Sequence, residues 1–244
     1  MITKLSDNVV RLGSAYVNWF LFSDGEGVTV VDAGVPGYRT QLPQGCRELG
    51  RTESDVAAVV LTHAHGDHVG VAEQLRLELG VPVYVHSADE SLARTGKFSG
   101  KNERSMLPYL RHPAAWKLFW ELGRNGGLKL PPIREVRTFS DGDELDVPGR
   151  LRVVHTPGHT DGHVALVAEA AGVAFVGDAL CSYNPLTGAR GPQLMPGAFT
   201  RNNDQALASL DRLEGTAGQL LPGHGDPIQE PDDALAAAKL RGPT

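Results

Sequence analysis

Sulfur, positive charge and long apolar runs are all scarce in this chain. The 244 residues include only two cysteines, Cys46 and Cys181, far apart and in no Cys-x-x-Cys pair. That excludes a disulfide framework and argues against a thiolate zinc site; both are expected as buried free thiols. Lys and Arg number 23 against 29 Asp and Glu, a net charge of −6, which disfavours a general nucleic-acid binder. No stretch reaches the ~18 consecutive apolar residues of a membrane span. Residues 1–13 lack a basic segment followed by a long apolar run, which argues against a secretory signal. The expectation is a cytoplasmic protein with neither membrane nor nucleic acid as partner. With 41% hydrophobic and 21% charged residues, an ordinary soluble globule is expected. The length suits one domain, 1–244, carrying at most one sizeable insertion.

What is present begins with β-rich runs at Val9-Val10, Tyr16 to Leu21 and Val28 to Val31, broken by Gly13 and Asp24-Gly25. Residues 38–50 offer a weak helix. Ala57 to Leu61 is short and wholly apolar, as a buried strand is. A helix is predicted over Val71 to Leu79 and a strand over Val81 to Val85. Strand patterns return from Thr138, at Leu151 to Val154, Val164 to Val167 and Val173 to Val176. Gln205 to Leu213 reads as a helix, Leu220-Leu221 as a last strand and Ala234 to Leu240 as a terminal helix.

Residues 94–137 stand apart. They hold ten Lys/Arg and three Asp/Glu, a net of +7, leaving −13 for the remainder. Trp116, Phe119 and Trp120 recur at helical spacing, with Lys117, Glu121 and Arg124 as a narrow polar stripe. This reads as a helical insertion with a wide apolar face. It could be a lid over a site, a packed part of the core or a contact with a second copy, and a homodimer stays open.

The richest stretch is His63-Ala64-His65-Gly66-Asp67-His68, directly after the apolar strand. Imidazole and carboxylate are the usual ligands of zinc, iron and manganese. His63 and His65, two apart, point the same way on extended backbone. Gly66 permits a sharp bend that could aim Asp67 and His68 at a neighbouring position. Four such groups in six residues are a poor match to a chance solvated turn.

His63-x-His65-x-Asp67-His68 resembles the signature of the metallo-β-lactamase superfamily. The later pieces resemble it in the same order: Thr156-Pro-Gly-His159-Thr160, Phe175-Val-Gly-Asp178 and Leu221-Pro-Gly-His224-Gly225. Asp32 in Val31-Asp32-Ala33-Gly34 resembles the family's early strand-end aspartate. The resemblance implies that His63, His65 and His159 hold one divalent metal ion. Asp67, His68 and His224 would hold a second, with Asp178 bridging both. Zinc comes first, with iron or manganese as alternatives. The fold it implies is an α/β (α+β) four-layer αβ/βα sandwich with the site between the sheets at one edge.

The resemblance also implies that Asp32 braces the His63 loop by hydrogen bonds, where a plain turn residue is the alternative. His163 divides in the same way between supporting the site and starting a strand. His155, His86 and His112 read as structural or solvated histidines. Tyr183 could reach substrate or be an ordinary loop tyrosine.

Two metals roughly 3.5–4 Å apart can share a water and bring its pKa toward neutrality. The expected activity is therefore hydrolysis of an ester, thioester or lactone by a metal-bound hydroxide, with Asp67 as the catalytic group that orients it. The substrate would be a small molecule, and the charge of 94–137 suggests an anionic group on an apolar body. An iron-dependent persulfide dioxygenase, a β-lactamase and a metal-binding protein without turnover are the alternatives. Glyoxalase II, secreted β-lactamases and nucleases of the superfamily fit less well. Quorum-signal lactonases are similar, but tend to carry a tyrosine sooner after the bridging aspartate than Tyr183.

Overall fold

In the computed structural model, residues 1–96, 104–127 and 132–243 are described. The β-rich runs and two further short segments make a seven-stranded sheet. Its strands are β1 (Ile2–Lys4), β2 (Val9–Gly13), β3 (Asn18–Ser23), β4 (Val28–Val31), β5 (Val56–Val60), β6 (Val83–His86) and β7 (Arg137–Phe139), side by side in that order. Pairing is antiparallel from β1 to β4 and parallel from β4 to β7. A second sheet holds β8 (Arg152–His155), β9 (Val164–Ala168), β10 (Val173–Gly177) and, beyond a two-stranded ribbon of β11 (Cys181–Tyr183) and β12 (Arg190–Gln193), the last strand β13 (Gln219–Pro222). Its order is β13-β10-β9-β8, with β10 and β13 parallel. The helices are α1 (Leu42–Glu48), α2 (Gly66–Val69), α3 (Ala72–Leu79), α4 (Glu90–Thr95), α5 (Pro113–Arg124), α6 (Asn203–Ser209) and α7 (Pro231–Arg241).

The two-residue period of a strand sorts its side chains between faces, and here both faces are buried. On β3, Trp19 and Leu21 join Leu42, Cys46 and Leu75 under α1 and α3. Phe20 and Phe22 point the other way and meet Leu166, Phe175 and Leu221 of the second sheet. On β9, Val164 and Leu166 face that same inter-sheet core, while Ala165 and Val167 pack under α6 and α7 with Leu210 and Leu235. Helix, sheet, sheet, helix: the fold is the four-layer αβ/βα sandwich that the resemblance implied.

Segment 104–127 departs from its sequence reading. Beyond a short 3-10 turn at Leu107–Arg111, its helix is α5 alone. Trp116 and Trp120 are 60% and 72% exposed, so they are not the buried face. That face is Ala115, Leu118 and Glu121. Glu121, expected in a polar stripe, is buried because the Tyr38 hydroxyl donates to it at 3.0 Å and Arg124 pairs with it at 2.8 Å. Ala115 and Leu118 pack with Tyr109, Leu186 and Ala198, so α5 lies against the chain that follows β11. Lys97, Lys101 and Lys129 of the basic stretch lie outside the described residues.

Candidate metal centre

The site is made where strands of both sheets end. Asp32 follows β4, His63 follows β5, His159 follows β8, Asp178 follows β10 and His224 follows β13. Backbone hydrogen bonds stitch the sheets together at this edge. The Val164 N–H donates to the Thr62 carbonyl at 2.9 Å, and the Asn18 N–H to that of Gly223 at 2.8 Å. His65 is still extended, with φ −72° and ψ 155°, and the chain then turns into α2 at Gly66. The bend expected at Gly66 is thus the first turn of a helix, and Gly66 is not among the positive-φ glycines. That turn brings Asp67 and His68 round to the side away from His65.

The side chains converge in three overlapping groups: His63, His65 and His159; His63, His68 and Asp178; Asp67, His68 and His224. Within each group the candidate ligand atoms lie within 4.8 Å of one another. Asp178 stands between them. Its Oδ2 is 3.8 Å from His63 Nε2, 3.3 Å from His159 Nε2 and 3.2 Å from His224 Nε2, while its Oδ1 is 3.5 Å from His68 Nε2. Asp67 Oδ2 is 3.8 Å from His68 Nε2 and 3.5 Å from that of His224. All seven predicted residues are thereby brought together. Gly223 makes the closeness possible: a Cβ there would lie 2.3 Å from Asp178 Oδ1 and 2.6 Å from His68 Cε1.

Hydrogen bonds on the far side of four rings decide which nitrogen faces inward. His68 Nδ1 donates to Asp32 Oδ2 at 3.0 Å. His63 Nδ1 donates at 3.0 Å to the Thr62 hydroxyl, which in turn donates to Asp32 Oδ2 at 2.9 Å. His159 Nδ1 donates to Thr200 Oγ1 at 3.3 Å, and that hydroxyl to the Met195 carbonyl. His224 Nδ1 donates to the carbonyl of Tyr16. Each of these outer bonds engages Nδ1, so each Nε2 faces Asp178 and, in the neutral form that a metal binds, presents a lone pair there.

These four Nε2 atoms and Asp178 Oδ1 are buried and have no hydrogen-bond partner among the described residues. An unpaired buried polar atom costs roughly 1–3 kcal/mol. Four ring nitrogens around one carboxylate, all able to donate an electron pair once neutral, fit a cation. The charges agree. Burial and the imidazoles of His68 and His65 hold the His63 pKa well below the usual histidine range. Burial alone would lower His68, but Asp178, Asp67 and Asp32 outweigh it and raise its pKa to about 10. Burial would likewise lower His224, and Asp178 reverses that. Burial would raise Asp178, yet His224 and His68 hold it well below the usual carboxylate range.

The sequence profile described as the metallo-beta-lactamase superfamily matches residues 12–224. The chain belongs to the metallo-β-lactamase superfamily. Among the proteins similar to it is the probable metallo-hydrolase YflN of Bacillus subtilis, 26% identical over 84% of this chain and 78% of that protein. The hydroxyacylglutathione hydrolase GloC of Haemophilus influenzae is 28% identical over 66% of this chain and 64% of its own. Among solved structures, the di-iron-bound form of TTHA1623 superposes with a TM-score of 0.61 at 29% identity, covering 93% of this chain and 95% of that one.

Around this superfamily centre, Asp32 holds Thr62 and His68, as the resemblance implied. His163 supports Asp178 by accepting its backbone N–H at 2.9 Å. Asp89 is a residue that sequence reasoning missed. Buried after β6, it accepts from the Ala64 N–H at 3.1 Å, the Thr160 hydroxyl at 2.7 Å and the Gly162 N–H at 2.8 Å. It therefore ties the His63–His65 loop to the His159 loop. Its only signal was a carboxylate shortly after a strand end. His155 and His86 stack at 4.3 Å, and His155 Nε2 donates to the Asp161 carbonyl, so both are structural. His112 is half-buried and accepts from Arg111. Tyr183 packs near Tyr16 under Arg190.

A pocket of about 260 Å³ opens on the centre. His65, Asp67 and Asp178 line its base, and the rest of its wall is mostly apolar. Tyr183 is not part of that wall among the described residues. Among the described residues no lysine or arginine is either.

Proposed function

We propose that this chain is a metal-dependent hydrolase of a small ester, thioester or lactone. In this reading His63, His65 and His159 hold one divalent cation, Asp67, His68 and His224 a second, and Asp178 joins them. The observation that carries it is the ring of buried, inward Nε2 atoms of His63, His68, His159 and His224 around Asp178, at the base of a mostly apolar pocket. Zinc is the first expectation. Iron is the alternative, in keeping with a di-iron-bound relative.

When bound, such cations supply Lewis acidity and lower the pKa of water. The chain's own residues supply the rest. Asp32, Thr62 and Thr200 fix the rings that face the reaction, so little reorganisation is needed when charge develops. Asp67 is the most accessible of the ligand carboxylates, its side chain 23% exposed against 2% for Asp178. It reaches the pocket, where it can take a proton from the attacking water and return it to the leaving group. The apolar wall excludes water from the bond to be cleaved. The names of YflN, a probable metallo-hydrolase, and GloC, a hydrolase of an acyl thioester, favour this reaction class.

The test is a screen of acyl thioesters, aryl esters, lactones and β-lactams with purified protein supplied with Zn, Fe or Mn. Turnover of at least one ester-type class, abolished by chelator and restored by metal, is expected. Oxygen uptake with a persulfide, without ester-type hydrolysis, would contradict the reading.

A further inference from the structure

α5 supplies one wall of the pocket through Leu118 and Leu122, and the chain after β11 supplies another through Pro185, Met195 and Phe199. Both walls are apolar, and the polar groups sit at the base. α5 is also fastened in place. Tyr38 binds Glu121, the Gly37 N–H donates to the Asn125 carbonyl at 2.9 Å, and a Cβ on Gly37 would meet Asn125 Oδ1 at 2.7 Å. These contacts hold the α5 wall of the slot against the segment after β4. Among the described residues, Arg104, Arg111 and Lys117 are exposed and none lines the slot.

From this we infer that the substrate carries an aliphatic acyl chain, seated between Leu118 and Leu122 on one side and Met195 and Phe199 on the other. The inference rests on the hydrolase reading for the bond cleaved, but the chain-binding slot stands on its own observations. A methylene group takes up about the space of a water molecule, ~30 Å³ in the liquid. The pocket of about 260 Å³, whose polar base must also hold the group to be cleaved, has room for a chain of at most roughly eight carbons. Each methylene moved out of water strengthens binding roughly three- to fourfold. Lining of this kind, with few polar groups gathered at one end, is the usual makeup of a small-molecule site.

The test measures binding first and turnover second. Calorimetric titration of the purified full chain with acetate, butyrate, hexanoate, octanoate and dodecanoate should give affinities that rise through octanoate and then level off. Octanoate should bind at least tenfold more tightly than butyrate. Leu122→Trp should fill the slot and erase the gain beyond butyrate. Leu122→Ala, the gentler change, should reduce octanoate affinity severalfold and leave acetate unchanged. Trp116→Ala, on the exposed side of α5, should alter neither. Equal binding of butyrate and octanoate would overturn the inference, even if short esters are hydrolysed. Chain-dependent binding without hydrolysis of octanoyl esters or thioesters would support the slot and sink the hydrolase reading instead.

Discussion

The backbone N–H of Asp178 donates to Nε2 of His163 at 2.9 Å, and Nδ1 of the same ring lies 2.8 Å from the Thr156 hydroxyl. The carboxylate that stands among four imidazoles is thus aimed from its main chain by a fifth. Burial, with His159 nearby, holds the His163 pKa well below the usual histidine range, so the ring is neutral and can accept. His163→Ala would leave the Asp178 N–H buried and unpaired. Partners of this kind typically govern metal affinity by 10–100-fold. We expect that loss for His163→Ala in a competitive metal titration, with partial recovery in His163→Gln, whose side-chain oxygen can accept. Unchanged metal affinity in His163→Ala would deny His163 a positioning role.

Asp89 accepts three hydrogen bonds from the two ligand loops and is buried. Asp89→Ala strands two N–H groups and a hydroxyl in the interior. The expected cost is about 3 kcal/mol, or roughly 6–12 °C in Tm for a chain of this size. Thermal unfolding measures it. A shift below about 2 °C would show that the loops are held by other means.

The pattern of what the sequence disclosed follows from where each interaction is made. His63, His65, Asp67 and His68 were legible because their chemistry is concentrated in one turn after an apolar strand. His159, Asp178 and His224 each follow a strand, and their order matched a family. Asp89 was not legible because its partners come from loops 25 and more than 70 residues away, and only packing of β6 beside the site brings them together. Glu121 misled for a related reason. Its helical position marks it as polar surface, but Tyr38 reaches it from 83 residues earlier and makes burial tolerable. The helix expected to end at Leu213 is α-helical only to Ser209 and closes as a 3-10 turn, a common fate of helix ends. The ribbon of β11 and β12 escaped notice because its strands are short and the second contains Gly191 and Pro192.

Both cysteines are buried and free. Burial, aided by Glu53, pushes the Cys46 thiol up to about 12. Burial and Asp178 push Cys181 up as well. Raising the pH from 7 to 9 therefore leaves Cys46 almost wholly protonated, with roughly one thiolate in ten thousand at pH 8. A thiol reagent should find no fast-reacting cysteine in the native protein across that range, and two after unfolding. Rapid native labelling that climbs tenfold per pH unit and saturates near pH 9 would contradict the assigned environment of Cys46.

The most direct measurement of the central claim is the metal content of the folded chain. Protein incubated with excess zinc, and separately with iron, is desalted and analysed by elemental mass spectrometry. Two groups of lone pairs joined by Asp178 predict about two equivalents per chain with at least one of these metals. Asp178→Ala should retain markedly less than the parent under the same wash. One equivalent or none with every metal offered, unchanged by excess, would contradict the dinuclear centre.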